Sequence, residues 1–375
     1  MVILEIVFWL CAGLLVYTHL GYPLVLALLA RARSHNPTPK PPGAPPRVSL
    51  IVAAHDEEEV IAAKVANARE LDYPPDLLEV VVASDGSNDR TADLANSAGA
   101  DIVLDLERSG KIGAQNAAVE RAGGEVLAFS DANAIWATGA LRELLAPFAD
   151  DGVAYVCGQV RFAEQGGSNQ EGVYWRYEMA IRTLESRLGG VTAGNGAIYA
   201  VRADDYLALH GAASHDLSFP FMLAKRGRRA VYAPAALAEE KMVASTEGEF
   251  ARKRRMMRGI FDEVIRDGML SPRGYRPIYA FEIASHRALR YASPLLHLVA
   301  LAANIALVGE SQVYVVTLAI QGALLVAAAL AEAIPVRPLR LARYYVLVTA
   351  SIAMGLWDRI RLGTPGAWEK AEGTR

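Results

Sequence analysis

Glu125-Val126-Leu127-Ala128-Phe129-Ser130-Asp131-Ala132-Asn133 is the stretch on which the reading of this chain turns. An apolar strand over residues 126–129 runs into a carboxylate at Asp131, and an amide follows at Asn133. In extended backbone, positions i and i+2 point the same way. The strand end therefore aims two oxygen-bearing side chains at one place. That ligand chemistry suits Mg²⁺ or Mn²⁺ that also holds a diphosphate. Taken alone, Asp-x-Asn is equally a turn signature.

The upstream segments repeat the design. The apolar run 48–54 ends in His55-Asp56-Glu57-Glu58-Glu59, whose acids open an expected helix over 60–71. The run 79–83 ends in Ser84-Asp85-Gly86-Ser87-Asn88-Asp89-Arg90-Thr91, and the run 101–106 leads to Gly110-Lys111 and a helix-like stretch at 113–122. Buried apolar strands alternating with helices predict an α/β fold around a mostly parallel sheet covered on both faces. Ligands in such sheets bind beyond the carboxyl ends of the strands. His55, Asp85, Lys111 and Asp131 all lie at or just after such ends. Each one singly reads as a turn or cap residue; their common edge is what makes a site.

With these pieces in order, the chain resembles a family 2 glycosyltransferase of the GT-A (Rossmann-like) fold, membrane-anchored and of bacterial type. Ala53-Ala54-His55-Asp56-Glu57-Glu58 stands at the family's Pro-x-Tyr-Asn-Glu opening, and Asp85-Gly86-Ser87-Asn88-Asp89 matches its Asp-Gly-Ser-x-Asp loop. Gly110-Lys111 with Gln115-Asn116 matches Gly-Lys-x-x-x-x-Asn, and Asp131-Ala132-Asn133 occupies the Asp-x-Asp position. Ala193-Gly194-Asn195-Gly196-Ala197 resembles the acceptor-side glycine loop, and His215-Asp216 falls where an acidic pair supplies the base. Arg252-Lys253-Arg254-Arg255-Met256 sits at Gln-x-x-Arg-Trp. Two departures stand out. Asn133 replaces the second aspartate and lowers the negative charge of the site. Met256 replaces the tryptophan that helps polymerising relatives hold the acceptor, which argues against processive synthesis.

The resemblance implies an inverting transfer from a nucleotide sugar, a UDP-sugar by expectation. Donor contacts fall to His55, Glu57, Asp85, Lys111, Asp131 and Arg255, with Mg²⁺ or Mn²⁺ on Asp131 and Asn133. Asp216 is the expected base. Gly194, Asn195, Gly196 and His215 are the expected acceptor side. The acceptor class is lipid-linked or glycan, in glycolipid or surface polysaccharide synthesis. A processive synthase coupled to export, or a silent scaffold among polysaccharide-assembly partners, are the competing readings. Retention of Asp85, Lys111, Asp131 and Asp216 argues against the scaffold.

Composition fits a membrane enzyme. Of 375 residues, 53% are hydrophobic, and the mean hydropathy is +0.19. A formal charge of −3 gives nucleic acid no electrostatic footprint. Cys11 and Cys157 have no disulfide or metal spacing and read as buried thiols.

Residues 1–33 form an expected anchor whose apolar stretch, 2–30, lacks the basic start of a signal peptide. His19, Gly21 and Pro23 interrupt it, as at a kink or a helix contact. A Pro-rich linker, 34–46, divides it from the catalytic domain, 47–275. Arg31, Arg33 and Lys40 predict that this domain faces the cytoplasm, and the resemblance implies that the membrane is the bacterial inner membrane.

Within the domain, Tyr174, Trp175 and Tyr177 read either as sugar-stacking faces or, the preferred reading, as core or membrane-surface packing. The basic run 249–258 faces lipid headgroups or neutralises diphosphate. After an interfacial segment, 276–289, come membrane helices over 290–358 and a basic tail, 359–375. Stretches 291–308 and 313–333 are long enough to span, whereas 344–357 is shorter than the ~17 residues usually needed. It is expected to be re-entrant or interfacial, with the carboxyl terminus cytoplasmic. His297, Asn304, Gln321 and Glu332 should face protein or a polar path.

Overall fold

The computed structural model describes residues 1–32, 44–163, 170–210, 213–241, 246–334 and 336–363. Most of the expected linker and tail therefore lies outside the described residues. The chain begins with helix α1 (Val2–Val16), passes through a π-helical turn at Tyr17–Gly21 and continues as α2 (Tyr22–Ala32). The π turn falls where His19 and Gly21 interrupt the apolar run.

The catalytic domain alternates strand and helix in its first half. These are β1 (Val48–Ala54), α3 (Ile61–Arg69), β2 (Leu78–Asp85), α4 (Thr91–Ser97), β3 (Ile102–Leu106), α5 (Lys111–Val119) and β4 (Val126–Asp131). Then follow β5 (Ile135–Trp136), α6 (Ala140–Leu145), β6 (Val153–Ala163), α7 (Gln170–Leu188), β7 (Tyr199–Arg202), α8 (His215–Lys225), β8 (Arg229–Lys241) and α9 (Thr246–Ile265). One sheet of eight strands runs β3-β2-β1-β4-β7-β6-β8-β5. Strands β3, β2, β1 and β4 are parallel, β7 is antiparallel to both its neighbours, and β6 and β8 are parallel.

All seven residues of β1 are buried, as its unbroken apolar run requires when helices cover both faces. Ala53 pairs with Ala83 on one side and Asp131 on the other, so β1, β2 and β4 end together. The sequence expectation of a strand at 229–233 captures only the start of β8. After a register shift, residues 237–241 are held extended by pairing with β6 and β5 rather than by their own propensity.

The carboxyl-terminal part is helical. Helix α10 (Pro277–Glu282), a π segment at Ile283–Ala288 and α11 (Leu289–Leu307) run on as one helix, followed by α12 (Gln312–Leu330) and α13 (Arg337–Leu362). The expected interfacial segment is thus the first part of a continuous helix. Among the described residues, four stretches are long and apolar enough to cross a membrane: Val2–Ala32, Pro277–Leu307, Gln312–Leu330 and Arg337–Leu362. The shortness argued for 344–357 does not hold, because the helix takes in its charged flanks and reaches 26 residues. Its last turn nonetheless docks on α9 of the catalytic domain. Arg254 is bidentate to Asp358 at 2.5 and 2.7 Å, and Arg359 reaches Asp262 at 2.5–3.0 Å. At Gly355 a Cβ would lie 2.5 Å from Met257 Cβ, so the two helices touch at backbone distance.

Helices α1, α11 and α12 pack through Phe8, Cys11, Ala300, Ala303, Leu307 and Tyr314. Asn304 is hydrogen-bonded to Thr317 at 3.0 Å and to Gln321 at 2.9 Å. His297 bonds Tyr345 of α13 at 2.6 Å, and Glu332 pairs with Arg343. Tyr177 donates to the carbonyl of His19 at 2.9 Å, while Trp175 donates to the carbonyl of Val160 at 3.0 Å and packs on the core. For these two aromatics, packing is what the structure displays; the side chain of Tyr174 lies outside the described residues. Both cysteines are free and buried.

Candidate active site

The edge expected to face the donor is built by two loops that bond each other. Asp85, at the end of β2, is fully buried. Its Oδ1 accepts the N–H groups of Ser109 at 2.6 Å and Gly110 at 3.0 Å, which fold the loop before α5 down onto the strand end. Gly86 makes that approach feasible. It adopts φ +61°, and a Cβ there would lie 2.9 Å from the Arg108 nitrogen. Across the edge, His55 Nδ1–H donates to the Asp85 carbonyl at 2.8 Å. Asp56 Oδ1 accepts the Asn88 N–H at 2.8 Å, and the Glu57 N–H donates to Thr91 Oγ1 at 2.7 Å. Glu57 is itself buried. The opening and Asp-Gly-Ser motifs therefore form one wall, 30-odd residues apart in sequence and cross-linked in space.

Lys111 opens α5 and its ammonium meets the Asp131 carboxylate in an ion pair. Burial pulls Lys111 down, but the attraction of Asp131 outweighs it and holds the ammonium above its ordinary value. The glycine loop passes over this pair. A Cβ on Gly196 would lie 3.3 Å from Lys111 Nζ and 3.8 Å from Asp131 Oδ2, so only a residue without a side chain leaves that space open. Two residues back, the Gly194 N–H donates to the Asp216 carbonyl at 2.6 Å, and Arg182 donates to the Gly194 carbonyl at 2.9 Å. The loop thus bridges the donor edge and the first turn of α8, which carries Asp216.

Other expected residues sit differently. Asn195 spends its amide on the loop itself, donating to the Gly158 carbonyl at 2.6 Å and accepting from the Ile198 N–H at 2.9 Å. His215 is 3% exposed. It lies among the rings of Phe129, Tyr199, Tyr206 and Phe219, with Nδ1 on the Tyr199 hydroxyl at 2.6 Å. Burial, reinforced by Lys111, pushes it down to about 3, so it is a neutral packed ring behind Asp216 and not a group on the cleft surface. Arg255 is half-buried on α9, next in sequence to the Arg254 that grips Asp358.

Among the described residues no group of three or more His, Cys, Asp or Glu could hold a metal. Asp131 and Asn133 are the available oxygen set. One carboxylate and one amide oxygen suit a Mg²⁺ or Mn²⁺ that draws its other ligands from phosphate and water. Two further residues join the site without any signal in the sequence. Lys64 of α3 is fully buried, donates to the Ala134 carbonyl at 2.7 Å and lies 5.0 Å from the Trp136 ring centre. It underpins the turn after Asp131. Burial pushes it down to about 7. Glu263 of α9 is the other.

The family model for Glycosyl transferase family 2 matches residues 49–207, the span from β1 to the segment after β7. The chain carries a family 2 glycosyltransferase domain. Among curated proteins, the beta-monoglucosyldiacylglycerol synthases of Trichormus variabilis and a Nostoc species are each 33% identical over 197 residues, 48% of this chain and 40% of theirs. The match thus spans about two fifths of those relatives. Among solved structures, the mannosyltransferase PcManGT from Pyrobaculum calidifontis, in complex with GDP-Man and Mn²⁺, aligns with a TM-score of 0.72 at 24% identity. The alignment covers 94% of this chain and 99% of that one. The fold of this glycosyltransferase domain is accordingly GT-A-like, with long apolar helices at both ends of the chain.

Proposed function

We propose that the protein is an inverting membrane glycosyltransferase that moves one or a few sugars from a nucleoside diphosphate sugar, a UDP-sugar in our reading, to a lipid hydroxyl. The observation that carries this is the glycine loop. It touches the Lys111–Asp131 pair at Gly196 and the backbone of the Asp216 turn at Gly194, so the expected donor edge and the turn that carries Asp216 flank one strip of backbone. The lipid acceptor is supported by the apolar helices at both ends of the chain and by the likeness to the beta-monoglucosyldiacylglycerol synthases. In this reading the enzyme is multi-pass, with its catalytic domain on the side that holds nucleotide sugar.

Asp131 and Asn133 would hold Mg²⁺ or Mn²⁺, which supplies charge neutralisation at the leaving diphosphate when bound. Lys111, already cationic beside Asp131, adds a second positive charge at the same edge. The wall of His55, Glu57 and Asp85 shapes the nucleoside pocket, and Arg255 is assigned to the diphosphate. Asp216 removes the proton of the acceptor hydroxyl as that oxygen attacks the anomeric carbon from the face opposite the nucleotide. Gly194 and Gly196 let the acceptor approach along bare backbone.

The test is a donor panel that includes UDP-glucose and GDP-mannose. Each is incubated with purified protein and diacylglycerol in mixed vesicles, with and without Mn²⁺. A single glycosylated lipid formed only with metal supports the proposal. A ladder of growing glycan would favour a processive synthase, and no turnover of any donor would favour a scaffold.

A further inference from the structure

Glu263 lies outside the donor edge, yet it is among the most deeply buried carboxylates described, at 1% exposure. Its Oε1 accepts from Ser214 Oγ at 2.8 Å and its Oε2 from Ser218 Oγ at 2.5 Å. These serines stand two residues to either side of Asp216. Ser214 immediately precedes α8, the position from which a serine ordinarily caps a helix by accepting a first-turn N–H. Here it makes no such bond. The start of α8 is held instead by a carboxylate on another helix.

Adhesion alone does not call for that carboxylate. Leu217 and Phe221 of α8 already pack on Val264 of α9, with Ile260 beside them. An acid buried at such a contact is costly unless its oxygens are bonded. Burial pushes Glu263 up to about 8, the Ser218 bond opposes this, and the charge of Asp216 adds to it. The titratable groups that face Glu263 are Asp216 from α8 and Tyr291 from α11, and Arg287 and Arg290 lie around Tyr291.

We infer that Glu263 is a positioning residue for the base: through Ser214 and Ser218 it fixes the first turn of α8, and with it the place of Asp216. This rests on Asp216 being the base. Loss of the carboxylate frees the turn that presents Asp216 while leaving the donor edge, built on β1, β2 and β4, untouched. Once ionised, Glu263 accepts from both serines as a charged acceptor, which holds that turn more firmly.

The experiment measures kcat and donor KM from pH 6 to 9.5 on full-length protein in vesicles, for wild type, Glu263→Gln, Glu263→Ala and Asp216→Asn. Glu263→Ala should lower kcat by about 10–100-fold, the scale of a misplaced catalytic group, with donor KM within about twofold. Glu263→Gln keeps the shape and can bond both serines, so it should recover most of kcat. The wild type should gain turnover through about pH 8 as Glu263 loses its proton, and Glu263→Gln should lack that step. A Glu263→Gln profile identical to wild type, or donor KM rising in step with the loss of kcat, overturns the inference. If Glu263→Ala fails to fold, the Gln profile still decides. Undiminished turnover in Asp216→Asn removes the base reading itself; a dead Asp216→Asn beside an unaltered Gln profile overturns only the link.

Discussion

The two banks of the cleft are made differently. The proposed donor bank is a run of consecutive β-α units in which every candidate residue but Arg255 of α9 sits at or just after a strand end, and the registers of β1, β2 and β4 bring those ends level. The acceptor bank is assembled from remote pieces: Arg182 on α7, Gly194 in a loop, Asp216 on α8 and Glu263 on α9. On the first bank, backbone topology alone delivers chemistry to one edge. On the second, specific side-chain bonds must hold the parts together. Damage to the donor bank should therefore strike binding, and damage to the acceptor bank should strike turnover with binding preserved.

The largest break in that contrast should come from Asp131→Ala. It removes the carboxylate of the metal set and strips Lys111 of its partner, so donor binding and transfer should both fall by roughly 10³-fold or more. Nucleotide titration by calorimetry with and without Mn²⁺ reads this directly. Full activity of the variant in excess chelator would end the divalent-ion assignment.

Asp216→Asn should lower turnover by ~10²–10⁴-fold, the usual scale of general-base catalysis. Nucleotide affinity should stay near that of wild type. Loss of nucleotide binding with normal turnover per bound donor would move Asp216 to the donor bank and erase the distinction.

A finer test is Lys64→Met, which keeps much of the buried volume but deletes the bond to the Ala134 carbonyl. The turn bearing Asn133 loosens, and Mn²⁺ affinity should fall about 10-fold, the lower end for supports of a metal ligand. An unchanged metal titration would leave Lys64 as packing only.

The smallest effect should come from the helix dock. Arg254 is 37% exposed and Asp358 15%. A double-mutant cycle on this pair should give a coupling of ~0.5–1 kcal/mol in thermal stability. A coupling near zero would mean that the Gly355 contact, not charge, holds α13 to α9.

The same contrast explains what the sequence disclosed. His55, Asp85, Lys111 and Asp131 follow apolar runs that end abruptly, so pattern alone led to them. Gly194 and Asp216 have no such marker and were reached through motif resemblance. Lys64 looks like any helix lysine, because nothing local reveals that α3 turns it inward beneath Trp136. Glu263 sits beside a run of arginines in a helix that reads as surface. His215 looked available for an acceptor because its burial depends on four aromatic rings from separate elements. For α13, counting only the apolar residues between its arginines understates a helix whose charged carboxyl-terminal end is paired with α9.

That pairing has a consequence for synthesis. Asp262 emerges 97 residues before Arg359. At ~5–20 residues per second the wait is about 5–20 s. In the proposed membrane setting, α9 is then out of the ribosome with its basic face and no α13 to receive it, while the helix that follows it, apolar enough to cross a bilayer, is being inserted. Anionic headgroups are the counterions at hand. The final turn of α13 must then displace them, so a helix made late completes the bracing of α9, and with it the support beneath α8.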